Sequence, residues 1–234
     1  MKCLVTGAAG GIGSAIARLL CQRGHAVHLV DLSGQLSELA AELGSHFSLC
    51  DLGQPNGIHD LLPEQDPPDT IINSAGKGYM GSFQSIPGTY FEDSFDANFF
   101  LPLFIGIAAI KRWRENGVKG NLLTISSVSS YGVHSPSLIA EAASNHALAL
   151  GMRVLEHEGR KCGIRVGTIW DNIETVGNMP PPEHRKMLRA QDVARRAYDW
   201  LQSPQAPRDL LPPRKYRATY GKESRQLIQC IPTL

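Results

Sequence analysis

The stretch Val5–Leu20, "VTGAAGGIGSAIARLL", joins a short apolar run, "KCLVTG" (2–7), to an amphipathic segment, "GIGSAIARLLCQRG" (11–24). The run before the glycines reads as a buried strand, and the helical period after them as a helix closed by Gly24. Gly7, Gly11 and Gly13 lie at the junction. Gly7 permits a tight turn, Gly11 lets the backbone approach a diphosphate, and Gly13 lets the helix pack closely on the strand. The helix start offers unpaired N–H groups and a positive partial charge to phosphate oxygens. A plain strand-to-helix turn does not need this set of glycines. The strand before and the helix after are the context that gives the motif weight.

Outward from this loop, strand-like and helix-like patterns alternate. "AVHLVDL" (26–32), "FSLCDL" (47–52), "TIINSAG" (70–76), "GNLLTISS" (120–127) and "GIRVGTIW" (163–170) read as further strands. Between them lie the helical "GQLSELAAEL", a short helix near 55–62, a long helix around 90–114, and the helix that begins in "LIAEAASNHALAL" (138–150). Apolar runs separated by helices imply a parallel sheet covered on both faces. Right-handed crossovers make that an α/β fold with a Rossmann-type doubly wound parallel sheet, in a single domain over 1–234. After Trp170, "NIETVGNMPPPEHRKMLRAQ" reads as loop, and "AQDVARRAYDWLQ" (190–202) returns to helical period. Residues 203–234 carry the weakest pattern.

Composition narrows the function classes. Lys plus Arg number 23 against 22 Asp plus Glu, so no strong field favours nucleic acid or an anionic membrane. The basic "PPRKYRATYGK" (212–222) reads as a solvated surface or tail. Five scattered cysteines show no metal-ligand spacing, and Cys3 and Cys50 read as small buried apolar residues. The chain enters its first strand at once, leaving no room for a signal peptide, and no apolar run reaches the ~18 residues of a membrane span. These features point to the cytoplasm. Asp31 ends the second strand, 18 residues after Gly13. A carboxylate there accepts hydrogen bonds from ribose hydroxyls and repels a 2′-phosphate, favouring NAD(H) over NADP(H).

The glycine loop, "CDL" (50–52), "NSAG" (73–76), "DAN" with Asn98, and "ISS" (125–127) together resemble the short-chain dehydrogenase/reductase family, in order and spacing over roughly residues 1–200. The resemblance implies that Ile12 belongs to the cofactor loop and that Asp51 and Leu52 contact adenine. It implies that Asn73, Ala75 and Gly76 line the cofactor sugar, and that Thr175 contacts the carboxamide. In that family the helix after "ISS" carries Tyr-x-x-x-Lys. The Tyr moves a proton to or from substrate oxygen, and the Lys lowers its pKa and binds the nicotinamide ribose. A Ser polarises the carbonyl and an Asn, here Asn98, holds a water in the relay.

Aligned on "AAS", Glu141 stands at the Tyr position and Asn145 at the Lys position. Ser127 matches the family Ser, one residue farther from Glu141 than is usual. Residues four apart share a helix face, as the chemistry requires. A phenol of pKa ~10 needs a cation to work near neutrality, whereas a carboxyl does not, so the two replacements are mutually consistent. Asn145 keeps the ability to hydrogen-bond a ribose but brings no charge. Tyr131 and His134 are alternative donors that read as loop residues. His146, ~100° around the helix from Asn145, faces elsewhere. Where the family has Pro-Gly after the sixth strand, this chain has Trp170, Asp171 and Asn172, which leaves Trp170 as either a wall of the pocket or a core residue.

The expected function is an NAD(H)-dependent oxidoreductase acting on a small carbonyl or alcohol, with Glu141 as acid and base. Two alternatives stay open on the same scaffold: a cyclase, isomerase or dehydratase, and a nucleotide-binding protein without turnover. Helices 90–114 and 138–157 pair with a second subunit in the family, and "NFFLPLFIGIAAI" has the composition for a homodimer or homotetramer.

Overall fold

A computed structural model describes residues 1–51, 57–79, 84, 86–127, 138–171 and 188–210, apart from the side chains of residues 59, 60 and 171. The chain alternates β1 (Lys2–Thr6), α1 (Gly11–Gln22), β2 (Ala26–Asp31), α2 (Leu36–Leu43), β3 (His46–Leu49), α3 (Gly57–Leu61) and β4 (Thr70–Asn73). It continues with α4 (Gly88–Phe95), a π-helical turn (Asp96–Phe100), α5 (Leu101–Asn116), β5 (Asn121–Ser127), α6 (Ile139–Arg160), β6 (Arg165–Asp171), α7 (Ala190–Gln202) and β7 (Asp209–Leu210). Among the described residues all strand pairs are parallel, in the order β3-β2-β1-β4-β5-β6-β7. This is the expected doubly wound sheet.

Successive strand residues feed opposite cores, which is why the strands read as unbroken apolar runs. Val5, Leu29, Ile72, Leu123 and Ile169 pack with α1 and α7 through Ile16, Leu20, Val193 and Trp200. Their neighbours Leu4, Val30, Ile71 and Leu122 pack on the other face with Ile105, Trp113, Leu148 and Met152 of α5 and α6. Cys3 is deep in the first core, and burial pushes its thiol up to about 12. The folded protein is therefore expected to keep Cys3 unlabelled by iodoacetamide at neutral pH, as peptide mass analysis would show.

Several boundaries differ from the sequence reading. β3 stops at Leu49 and forms the edge of the sheet, so Phe47 and Leu49 stay exposed and Cys50 is only half-buried beyond it. β4 ends at Asn73, and Ser74–Gly76 turn away as loop. The least readable segment supplies a short edge strand, β7, whose pairing with β6 fixes two residues that local pattern does not mark. The helix expected at 90–114 runs from Gly88 to Asn116 and is interrupted by the π turn. By length and composition it reaches what a membrane span needs, contrary to the count of apolar runs. Here it lies along the sheet, with Ile105, Ala109, Ile110 and Trp113 buried.

Candidate active site

The strand order reverses between β1 and β4, and the crevice at their carboxyl ends is where open α/β sheets bind ligands. The glycine loop forms one wall. Gly7 has φ +65°, and a Cβ on it would lie 2.6 Å from the Ala75 backbone, so this turn touches the loop after β4 directly. A Cβ on Gly13 would sit 2.1 Å from the Gly7 carbonyl oxygen, so α1 starts hard against the turn. Gly11 is different: nothing lies within 4 Å of its Cβ position, leaving its backbone open to an approaching group. Asp31 joins this wall through its carboxylate, which accepts from the Ala9 N–H and the Ser33 N–H, both at 2.9 Å.

The floor retains hydrogen-bonding capacity. Thr6 and Asn73 are register partners on β1 and β4. Thr6 Oγ1, Asn73 Oδ1 and Ser74 Oγ are buried without a partner among the described residues. An open glycine backbone, a half-buried carboxylate and an unsatisfied polar floor fit the diphosphate and sugars of a dinucleotide.

The other wall is held by Asn98 in the π turn. Pro102 has no N–H to give the Asn98 carbonyl, and the helix widens there, with the Leu101 N–H reaching back to Asp96 O. The Asn98 side chain accepts from Lys77 N at 2.7 Å and donates to Lys77 O at 2.8 Å and Ser144 Oγ at 3.1 Å. It thereby ties the loop after Gly76 to α6. Ser144 in turn donates to the Glu141 carbonyl at 3.1 Å, and Asn145 Nδ2 donates to the same oxygen at 3.0 Å. Asn145 Oδ1 accepts from Ser126 Oγ at 2.7 Å and from Ser127 N at 3.3 Å.

Glu141 is 5% exposed, an uncommon depth for a glutamate, and lies in the first turn of α6 on the face shared with Asn145. At the rim, Tyr79 donates to Asp93 at 2.5 Å, and Lys77 pairs with the same carboxylate at 3.2 Å. The hydrogen bond to Asp93, with burial second, pushes the Tyr79 phenol up to about 12. Tyr79 is thus protonated at neutral pH and acts as a hydrogen-bond donor, not a base.

The sequence matches the short chain dehydrogenase family over residues 2–173. The chain belongs to this family. Among similar proteins, an uncharacterized oxidoreductase of Staphylococcus aureus is 29% identical over 203 residues, covering 82% of this chain and 86% of that protein. Two solved structures superpose closely. An alcohol dehydrogenase from Thermococcus sibiricus, complexed with 5-hydroxy-NADP, has TM-score 0.78 at 22% identity, over 90% of this chain and 94% of its own. A 4-hydroxyisoleucine dehydrogenase complexed with NADH has TM-score 0.77 at 24% identity, over 89% and 95%.

Within this short-chain dehydrogenase fold, the expected residues gather in two groups. Gly7, Gly11, Gly13, Asp31, Ala75 and, through Thr6, Asn73 surround the crevice. Asn98, through Ser144, and Asn145, which accepts from Ser127 N, converge on the backbone carbonyl of Glu141. Gly76 also belongs here, since a Cβ on it would lie 3.1 Å from Asn98 Oδ1. Ile12 packs half-buried against the α1 core, and Asp51 is exposed beyond β3. Leu52, Thr175, Tyr131, His134 and Asn172 lie outside the described residues, as does the side chain of Asp171. His146 is exposed, as its angle on the helix implied. Trp170 is a core residue: it is 1% exposed and its indole N–H donates to Asp209 at 3.1 Å. Sequence reading passed over Ser126 and Ser144. Ser144 sits in the "AAS" used for alignment and Ser126 beside Ser127, so their neighbours were the only signal.

Proposed function

We propose that this short-chain dehydrogenase is an NAD(H)-dependent oxidoreductase acting on a small carbonyl or alcohol, with Glu141 standing where the family places its Tyr. The observation that carries this reading is a buried glutamate one helical turn from an amide hydrogen-bonded to the backbone of Ser127. Gly7, Gly11, Ile12 and Gly13 hold the diphosphate, Asp31 the adenosine ribose, Asp51 and Leu52 the adenine, and Asn73, Ala75, Gly76 and Thr175 the nicotinamide half. Bound NAD(H) supplies the hydride chemistry. The Glu141 carboxyl gives a proton to substrate oxygen in reduction and takes it back in oxidation, while the Ser127 hydroxyl donates a hydrogen bond to that oxygen. Absorbance at 340 nm with NADH and a panel of small aldehydes and ketones tests this. Oxidation of NADH is expected with at least one. Tight nucleotide binding with no turnover across the panel would instead favour a binding protein.

The preference for NAD(H) rests on the Asp31 charge at the mouth of the glycine loop. Asp31→Ser removes the repulsion toward a 2′-phosphate and one ribose acceptor, so the ratio of NADH to NADPH affinity is expected to fall about tenfold. Fluorescence titration of both nucleotides would measure it, and an unchanged ratio would remove Asp31 from the account.

The same family likeness supports a homodimer or homotetramer. Phe100, Phe104 and Ile107 on the π turn and α5, with Leu150 and Val154 on α6, are exposed large apolar side chains. Burying them against a second copy is favourable by ~25 cal/mol per Å² of apolar area. Ile107→Asp is expected to shift sedimentation from an oligomer to a single chain, and a monomeric wild type would refute this.

A further inference from the structure

We propose that Ser126 and Asn145 are a positioning pair that sets the first turn of α6 against the end of β5, and that Asn145 is not a nucleotide ligand. This rests on the reading of Glu141 and Ser127 as the reacting pair. Ser126 is 6% exposed, and its hydroxyl donates to Asn145 Oδ1 at 2.7 Å. Ser127 supplies its backbone N–H to the same oxygen at 3.3 Å. One amide oxygen thus holds both the strand and the backbone of the serine assigned to substrate.

The nitrogen end of the amide is also engaged inward. Asn145 Nδ2 donates to the Glu141 carbonyl oxygen at 3.0 Å, and Ser144 Oγ donates to that same oxygen. Ser144 is 0% exposed and is itself held by Asn98. Oδ1 has both lone pairs filled, and among the described residues a single N–H remains without an acceptor on a side chain that is 6% exposed. A lysine at this position would carry charge outward to the nucleotide. The asparagine instead closes a bridge from the π turn through α6 to β5. The distance between Glu141 and Ser127 is therefore fixed by neutral hydrogen bonds, and misplacement of such groups by about 1 Å is enough to lose on the order of 100-fold in rate.

The test uses the full chain and the variants S126A, N145A and S126T. The amide exchange of Ser127, read by 15N NMR without nucleotide, is expected to rise about tenfold in N145A, while core β5 amides such as Leu123 keep their protection. NADH affinity by calorimetry is expected to stay within about twofold in S126A and N145A. With NADH and 2,3-butanedione, both are expected to lower kcat about tenfold at unchanged KM, and S126T to restore it. Unchanged Ser127 exchange in N145A and S126A, or unchanged kcat in both, would overturn the positioning role. Weakening of NADH by tenfold or more in N145A would make Asn145 a nucleotide ligand and overturn the second half. If wild type itself bound no NADH, the functional reading would fail, while the exchange experiment would still decide the bridge.

Discussion

Gly13→Ala is expected to abolish dinucleotide binding and to destabilise the fold by ~2–3 kcal/mol, the upper end of what an overpacked methyl costs. The new methyl would meet the Gly7 carbonyl at 2.1 Å, the Gly7 carbonyl carbon at 2.7 Å and Ala8 Cα at 2.9 Å. All three are backbone atoms of a turn whose other side touches the Ala75 backbone, so the turn has nowhere to yield. The helix must move instead, and α1 carries Ile16 and Leu20 into the core beneath α7. Thermal melting and NADH calorimetry check both effects. Gly11→Ala supplies the contrast. Its methyl meets nothing within 4 Å, so the melting temperature should hold or rise slightly, since Ala favours helix over Gly by ~1 kcal/mol. Affinity for NADH should nevertheless drop, because the methyl occupies the open approach to the diphosphate. A Gly11→Ala protein that binds NADH as wild type does would remove Gly11 from the phosphate site.

Glu141→Gln is expected to reduce kcat by ~100-fold or more, within the range set by loss of a general acid or base. Gln keeps the size of the side chain and its hydrogen-bonding length, so the melting temperature should change by only a few degrees. NADH affinity should be unchanged, because the diphosphate and adenosine contacts lie on the other wall. Steady-state kinetics on any carbonyl that wild type reduces would decide it. Full activity in this variant would remove Glu141 from proton transfer and move attention to the region between Ser127 and α6.

The fold was legible because both signals it needs are local. Strand runs such as "CLV" (3–5), "II" (71–72) and "LL" (122–123) are apolar on every residue, since Leu4 and Val5, or Ile71 and Ile72, serve opposite cores. The glycine loop was legible because Gly7 and Gly13 answer close steric demands, while Gly11 leaves its backbone open to an approaching group. What the sequence hid depends on distant partners. β7 is two residues long and exists through its pairing with Thr168 and Ile169. The π turn follows from Pro102 acting on a carbonyl four residues earlier, inside a segment whose composition reads as plain helix. Trp170 leaves two readings open in the sequence, and the partner that decides between them, the Asp209 carboxylate accepting from its indole N–H, lies 39 residues away. In the site, position 145 was marked by its spacing from Glu141, but the direction of its amide depends on Ser126, which no helix pattern reveals.

Calorimetric titration of the wild-type protein with NADH and NADPH in parallel tests the central claim most directly. Saturable NADH binding is expected, with NADPH at least about tenfold weaker because its 2′-phosphate meets the Asp31 carboxylate. Absence of heat with both nucleotides, together with no rise in melting temperature, would contradict the account.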